Sequence, residues 1–178
     1  MASAIDYDGV VSMCRRLGFE PANNGKFPVL RYTSPTGFNL EFPAQWMKEG
    51  GTYSDEQVAM QLQAMLKSVQ ADEKVYTFLQ DQKNVDRITK ACLDFGMVYD
   101  RNDERFYYVK GRKAVFAVDH DYIASLVCSG KASMDALNEL LETFLETAEF
   151  EHEKSKEATG KSLMQKGKRN ARKRAGNS

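Results

Sequence analysis

The chain is poor in the residues that usually carry chemistry. It has two histidines, His120 and His152, and three cysteines, Cys14, Cys92 and Cys128, with no Cys-x-x-Cys pair. An odd number of isolated thiols argues against a disulfide scaffold and against a zinc site, whose ligands come at close spacing. Cys14 and Cys92 fall at apolar helix positions and read as buried free thiols of a reducing compartment. No apolar run reaches the length of about 18 residues that a bilayer span needs. The first residues, MASAIDYDGVV, have neither a basic nor an apolar leader region. Gly-x-x-x-x-Gly-Lys-Ser/Thr, Gly-x-Gly-x-x-Gly, His-Glu-x-x-His and Gly-x-Ser-x-Gly are all missing. Gly160-Lys161-Ser162 lacks the upstream glycine and the strand of a phosphate loop. These absences lead us to expect a cytoplasmic, non-enzymatic protein with no metal, no cofactor and no membrane partner.

Charge is present but segregated. Residues 1–157 hold 18 Lys/Arg against 25 Asp/Glu, whereas 158–178 hold seven Lys/Arg and no acid. The formal net charge of zero therefore hides an acidic body and a cationic arm. The arm is nearly free of apolar side chains and cannot bury enough surface to offset its ordering entropy, so it reads as a flexible basic tail.

An element order runs twice. Cys14-x-x-x-Gly18 recurs as Cys92-x-x-x-Gly96, 78 positions on. Each glycine closes a helical pattern and opens alternating apolar residues, the left-handed stop of a helix. A helix is expected over 5–17, with Val10, Val11, Cys14 and Leu17 on one stripe. Strands are expected at 18–23, 28–33 and 37–42, with a hairpin turn at Ser34-Pro35-Thr36-Gly37. Residues 44–53 read as a loop, with Trp46 docked on the body. Ser54-Asp55-Glu56-Gln57 is a capping-box pattern that opens a helix with Val58, Leu62, Met65, Leu66 and Val69 inward. The second copy has its helix at 84–95, strands at 97–100, 105–110 and 113–119, and a short helix or loop at 121–128. A long helix then runs from Ser133 to about Lys156, with Leu137, Leu140, Leu141, Phe144, Leu145 and Ala148 inward. The fold class is α+β: two packed α-β-β-β-α repeats of small antiparallel sheets with helices on one side, then the disordered basic tail. The domains are 1–73, a helical connector 74–83, 84–157, and the tail 158–178.

Four clusters are candidates for function. The tail cations are Lys161, Lys166, Lys168, Arg169, Arg172, Lys173 and Arg174; such an arm neutralises phosphates and releases counterions without choosing a sequence. On the second sheet Arg105, Lys110, Arg112 and Lys113 lie near Phe106, Tyr107 and Tyr108, a pattern that can stack single-stranded bases or fill a core and one cross-strand pair. Glu139, Glu142, Glu146, Glu149 and Glu153 form one stripe of the last helix, able to meet a basic partner or simply to face solvent. Asp119-His120-Asp121 has acid–base and metal-binding types, but neighbours on a strand point to opposite faces. A locally hydrogen-bonded His120 is the expectation, and His152 reads as a surface residue.

The stretch CRRLGFEPANNGKFPVLRYTSPTGFNLEFP, Cys14 to Pro43, resembles the small dsRBD-like fold of HicA toxins. Leu17-Gly18-Phe19, Asn24-Gly25, Ser34-Pro35-Thr36-Gly37 and Phe42-Pro43 stand where that family has its leading helix end, Gly-rich turn, second turn and following strand. The resemblance implies an α-β-β-β-α unit on a scaffold of RNA-handling descent. It does not imply ribonuclease activity: the family's histidine position holds Lys26-Phe27 here, and Asp103-Glu104-Arg105 in the second copy. The basic cluster of true double-stranded-RNA-binding domains is likewise replaced, by Asp55-Glu56-Gln57.

The function expected from sequence is docking on nucleic acid or a nucleoprotein complex through the tail and the tandem body. The alternative is a phage or mobile-element inhibitor of a host nuclease, anti-CRISPR-like, acting by protein–protein contact.

Overall fold

The computed structural model describes residues 3–175, with side chains from 3 to 159. The chain is α+β and divides into two compact units, Met1–Asp81 and Gln82–Ser178.

Unit 1 opens with β1 (Ala4–Asp6) and α1 (Tyr7–Arg16). Asp6 caps that helix, its carboxylate accepting from the Gly9 N–H at 2.9 Å. An acceptor there satisfies a backbone donor that no helix can pair internally. Three strands follow, β2 (Phe19–Asn23), β3 (Pro28–Thr33) and β4 (Asn39–Pro43), as an antiparallel meander. The turn between β3 and β4 is held by Ser34, the single buried polar residue among those described. Its hydroxyl accepts from the Phe38 N–H at 3.2 Å and bonds the Thr36 hydroxyl at 2.7 Å. Next come β5 (Thr52–Ser54) and α2 (Asp55–Gln80).

Several expectations are corrected here. Residues 5 and 6, expected as the start of a helix, belong with Ala4 to β1, and 52–54, expected partly as loop, form β5; the two strands pair from Ala4↔Ser54 to Asp6↔Thr52. Ser54 is therefore held by strand pairing and makes no side-chain cap. The Asp55 N–H donates instead to the Ser3 carbonyl at 3.0 Å. Residues 74–80 are the last two turns of α2 rather than a separate connector. No Gly or Pro lies between Ser54 and Asp81 to stop the helix earlier.

The core of unit 1 gathers Val10, Cys14, Phe19, Leu30, Val58, Leu62 and Val69. Met65, Leu66, Val11 and Leu17 pack partly buried against it, and Trp46 meets Tyr53 edge-on at 5.8 Å. Phe19 is sandwiched by Tyr32 and Phe42, at 5.7 and 6.0 Å between ring centres.

Unit 2 repeats the order helix, three-stranded meander, helix. α3 (Gln82–Asp94) leads to β6 (Val98–Asp100), β7 (Arg105–Lys110) and β8 (Lys113–Val118). It adds what unit 1 lacks, a full helix α4 (His120–Cys128) and a 3-10 turn (Met134–Ala136), before the long α5 (Leu137–Ala175). Ser133 caps the 3-10 turn by accepting from the Asp135 N–H at 3.3 Å. Ile88, Cys92, Met97, Phe106, Val118, Ile123 and Leu141 are buried. Leu140, Phe144, Leu145 and Ala148 are half-buried. Phe144 lies against Phe116 and Tyr122, at 6.2 and 5.8 Å.

The correspondence between units is closest around the turn glycines. Gly18 has φ +89° and Gly96 φ +97°, the left-handed turn that ends each first helix. Cys14 and Cys92 are fully buried, as are Val10 and Ile88, 78 positions apart. Ionising either thiol would place a charge in an apolar core. Burial pushes the Cys14 pKa up to about 11 and that of Cys92 up to about 12.

Candidate polyanion-binding site

The β7–β8 hairpin end and α5 meet in one groove of about 440 Å³, lined by Lys110, Lys113, Glu149, His152, Glu153 and Lys156. Ala114, Val115 and Ala148 form its apolar floor. The strand pattern explains the placement. Phe106 and Tyr108 point inward, Phe106 fully buried and Tyr108 stacked on Phe116 at 5.6 Å. Lys110 continues that face and opposes Lys113 across the hairpin. Its ammonium donates to the Glu149 carboxylate at 3.2 Å.

The groove therefore joins residues from two of the sequence clusters, the cationic hairpin and the acidic helix stripe. Lys110 and Glu149 are both substantially exposed, at 73% and 46% of the side chain. A pair so open to water is weak and readily exchanged for another partner. Glu139, Glu142, Glu146 and Glu153 are exposed along α5, and Glu142 accepts from the Asn138 amide at 3.2 Å. From Lys156 the backbone of α5 runs on to Ala175. The tail cations Lys161, Lys166, Lys168, Arg169, Arg172, Lys173 and Arg174 lie outside the residues whose side chains are described.

Arg105 and Tyr107 go elsewhere. They sit on the opposite face of the sheet, so the aromatic–basic cluster is divided between the two sides. Tyr107 donates its hydroxyl to the Asp103 carboxylate, which raises the phenol pKa. Arg112 is exposed at the hairpin turn.

His120 is placed by packing rather than by its neighbouring acids. Asp119 caps α4, accepting from the Tyr122 N–H at 2.7 Å. The His120 ring stands edge-on to Phe106 at 5.1 Å, and its Nε2 bonds the Thr89 hydroxyl at 2.8 Å. Desolvation lowers its pKa against the pull of Asp121, Asp119 and Glu104. Among the described residues no group of three His, Cys, Asp or Glu side chains is placed to hold a metal ion. No helix of the described residues is long and apolar enough to cross a membrane.

In comparisons with protein-family models, curated proteins and solved structures, nothing matches the chain.

Among the exposed apolar side chains that were not singled out from sequence are Leu93 and Val98, at 50% and 61% exposure. The signal was available. They stand 78 positions after Arg15 and Glu20, which form an ion pair at 2.9 Å in unit 1.

Proposed function

We propose that the chain is a non-enzymatic binding protein that docks on nucleic acid or a nucleoprotein complex through its cationic end. The supporting observation is one juxtaposition. Lys110, Lys113 and Lys156 line a single groove, and beyond Glu157 residues 158–178, which continue the same helix as far as Ala175, hold seven cations and no acid. A phosphate backbone laid along that end would exchange the exposed Lys110–Glu149 contact for phosphate contacts and release counterions. Glu149 and Glu153 oppose this locally, so the tail carries most of the affinity and the hairpin lysines orient the duplex. Each unit contains a helix, a three-stranded meander and a closing helix, to which unit 1 adds β1 and β5 and unit 2 adds α4.

The second reading, inhibition of a nuclease by protein contact, rests on the exposed row Glu139, Glu142 and Glu146, which would imitate a phosphate backbone toward a basic groove.

Binding to duplex DNA and RNA across a salt series separates the two. With five to seven phosphates neutralised, the log–log slope on duplex DNA is expected to be roughly −4 to −6. Removal of 160–178 should flatten it, and Lys110→Glu with Lys113→Glu should weaken binding less. Full-length protein that binds neither nucleic acid at low salt overturns the proposal.

A further inference from the structure

The middle of the outer face of the unit 2 sheet is apolar and largely exposed. Cross-strand register aligns Val98, Tyr107 and Ala117 in one row, with Val109 next along β7 on the same face. Val98 and Val109 are 61% and 48% exposed. The same row of unit 1 is Glu20, Arg31 and Glu41, also two residues beyond the turn glycine. There Arg15 pairs with Glu20 at 2.9 Å and Arg31 with Glu41 at 2.6 Å. Leu93 holds the place of Arg15, each being the next-to-last residue of its helix. Unit 1 thus shows what this surface looks like when it faces water. In unit 2 every charge of that row is replaced by an apolar or aromatic group, the mark of a contact surface.

The geometry points to a second copy of this chain as the occupant, packed sheet on sheet about a two-fold axis. The charges around the face support this choice. At the β6–β7 end stand Asp100, Asp103 and Glu104 against Arg101 and Arg105, a net negative end. At the β7–β8 end Arg112 projects at the turn, while Lys110 lies toward α5 on Glu149. A two-fold in the plane of the interface and across the strands reverses their direction. It lays the acidic end of one copy over Arg112 of the other and brings the two Tyr107 rings together near the axis. A self-complementary patch is what an isologous dimer requires. Aligned packing of two twisted sheets, about 30° apart, is a common sandwich geometry. A rigid aromatic in an apolar patch is also the usual anchor of such contacts.

The test is the mass of the full chain in solution by light scattering and sedimentation over a concentration series. The expected result is a monomer–dimer equilibrium. Leu93→Arg with Val98→Glu writes the ion pair of unit 1 into unit 2, and should leave the thermal melt of the monomer intact while weakening the dimer roughly thirtyfold or more. Arg112→Glu and Asp100→Lys/Glu104→Lys should each weaken self-association, and mixing the two variants should restore a mixed dimer. A wild-type chain that stays monomeric at its solubility limit overturns the inference, as does a dimer that survives the Leu93/Val98 change. A dimer not restored by mixing overturns the antiparallel arrangement. A monomer that loses nucleic-acid binding on Tyr107→Ala would give this face to bases and not to a second copy.

Discussion

In unit 1 the central row of the outer sheet face reads Glu20, Arg31, Glu41, and in unit 2 it reads Val98, Tyr107, Ala117. The inner positions do not diverge in this way. Val10 and Ile88, Cys14 and Cys92, and Phe19 and Met97 are buried alike at the same 78-residue offset. The contrast separates two kinds of constraint. Positions that fill a close-packed core must keep size and apolarity, because a lost methylene leaves a cavity. Positions on the outer face answer only to what covers them, water in one unit and, by our inference, another copy in the other.

The strongest challenge to that comparison is to the cores. If each unit has its own, Phe19→Ala and Phe106→Ala should each cost about 3–5 kcal/mol, from lost transfer free energy plus the cavity left behind. Both rings are buried, at 1% and 0% exposure. Denaturant melts read this directly. A loss under about 1 kcal/mol at either position would mean that the unit concerned lacks a core centred on that ring.

The turn glycines sharpen the comparison at a smaller scale. Both hold positive φ, so alanine at either should cost about 1–2 kcal/mol from backbone strain. The two differ in surroundings. A Cβ at Gly18 would stand 3.1 Å from the Tyr32 ring, whereas one at Gly96 would meet nothing within 4 Å. Gly18→Ala should therefore be the more destabilising in thermal melts. Equal effects would show that Tyr32 moves aside freely.

A third measurement concerns pH and unit 2 alone. Desolvation lowers the folded pKa of His120 below its ordinary 6.5. The unfolded chain then binds the proton more tightly, so folding stability rises with pH through this window. The contribution is complete above the unfolded value and is lost as pH falls below about 6.5 toward the folded pKa. His120→Gln keeps a partner for the Thr89 hydroxyl and removes the titration. It should flatten this acid-side slope of the melting temperature, and an unchanged slope would assign it to other groups.

The strands were legible because each carries its own pattern. Alternation fixes 28–33 and 105–110 to the residue, and Ser34-Pro35-Thr36-Gly37 names its own turn. β1 and β5 were not legible. Three residues are too few to show a period, and only pairing across some fifty positions makes Ala4–Asp6 a strand. The same limit hid the groove: Lys110 and Glu149 are 39 residues apart, and nothing local joins them. The Leu93/Val98 face was within reach. The offset that matched Cys14 to Cys92 also matches Arg15 to Leu93 and Glu20 to Val98, and strand parity puts Val98 outward.

The smallest expected effect tests the ionic side of the comparison. Arg31 lies mid-sheet, opposite Glu20 on one strand and Glu41 on the other, and bonds Glu41 through both Nε and a terminal nitrogen. Its side chain is 47% exposed and that of Glu41 39%. At such exposure solvent and salt screen the pair, so its net contribution is about 0.2–1 kcal/mol despite the two-pronged geometry. Arg31→Met preserves most of the stem that lies along the sheet and deletes the charge. The variant should therefore be slightly less stable at low salt and indistinguishable from the parent at high salt. Melts of the two proteins at both ionic strengths suffice. A loss that persists at high salt would mean that packing of the Arg31 stem, and not its charge, holds the row. The Glu20–Arg31–Glu41 row would then be an apolar contact in polar dress, and the contrast with Val98–Tyr107–Ala117 would shrink from a difference in kind to one of degree.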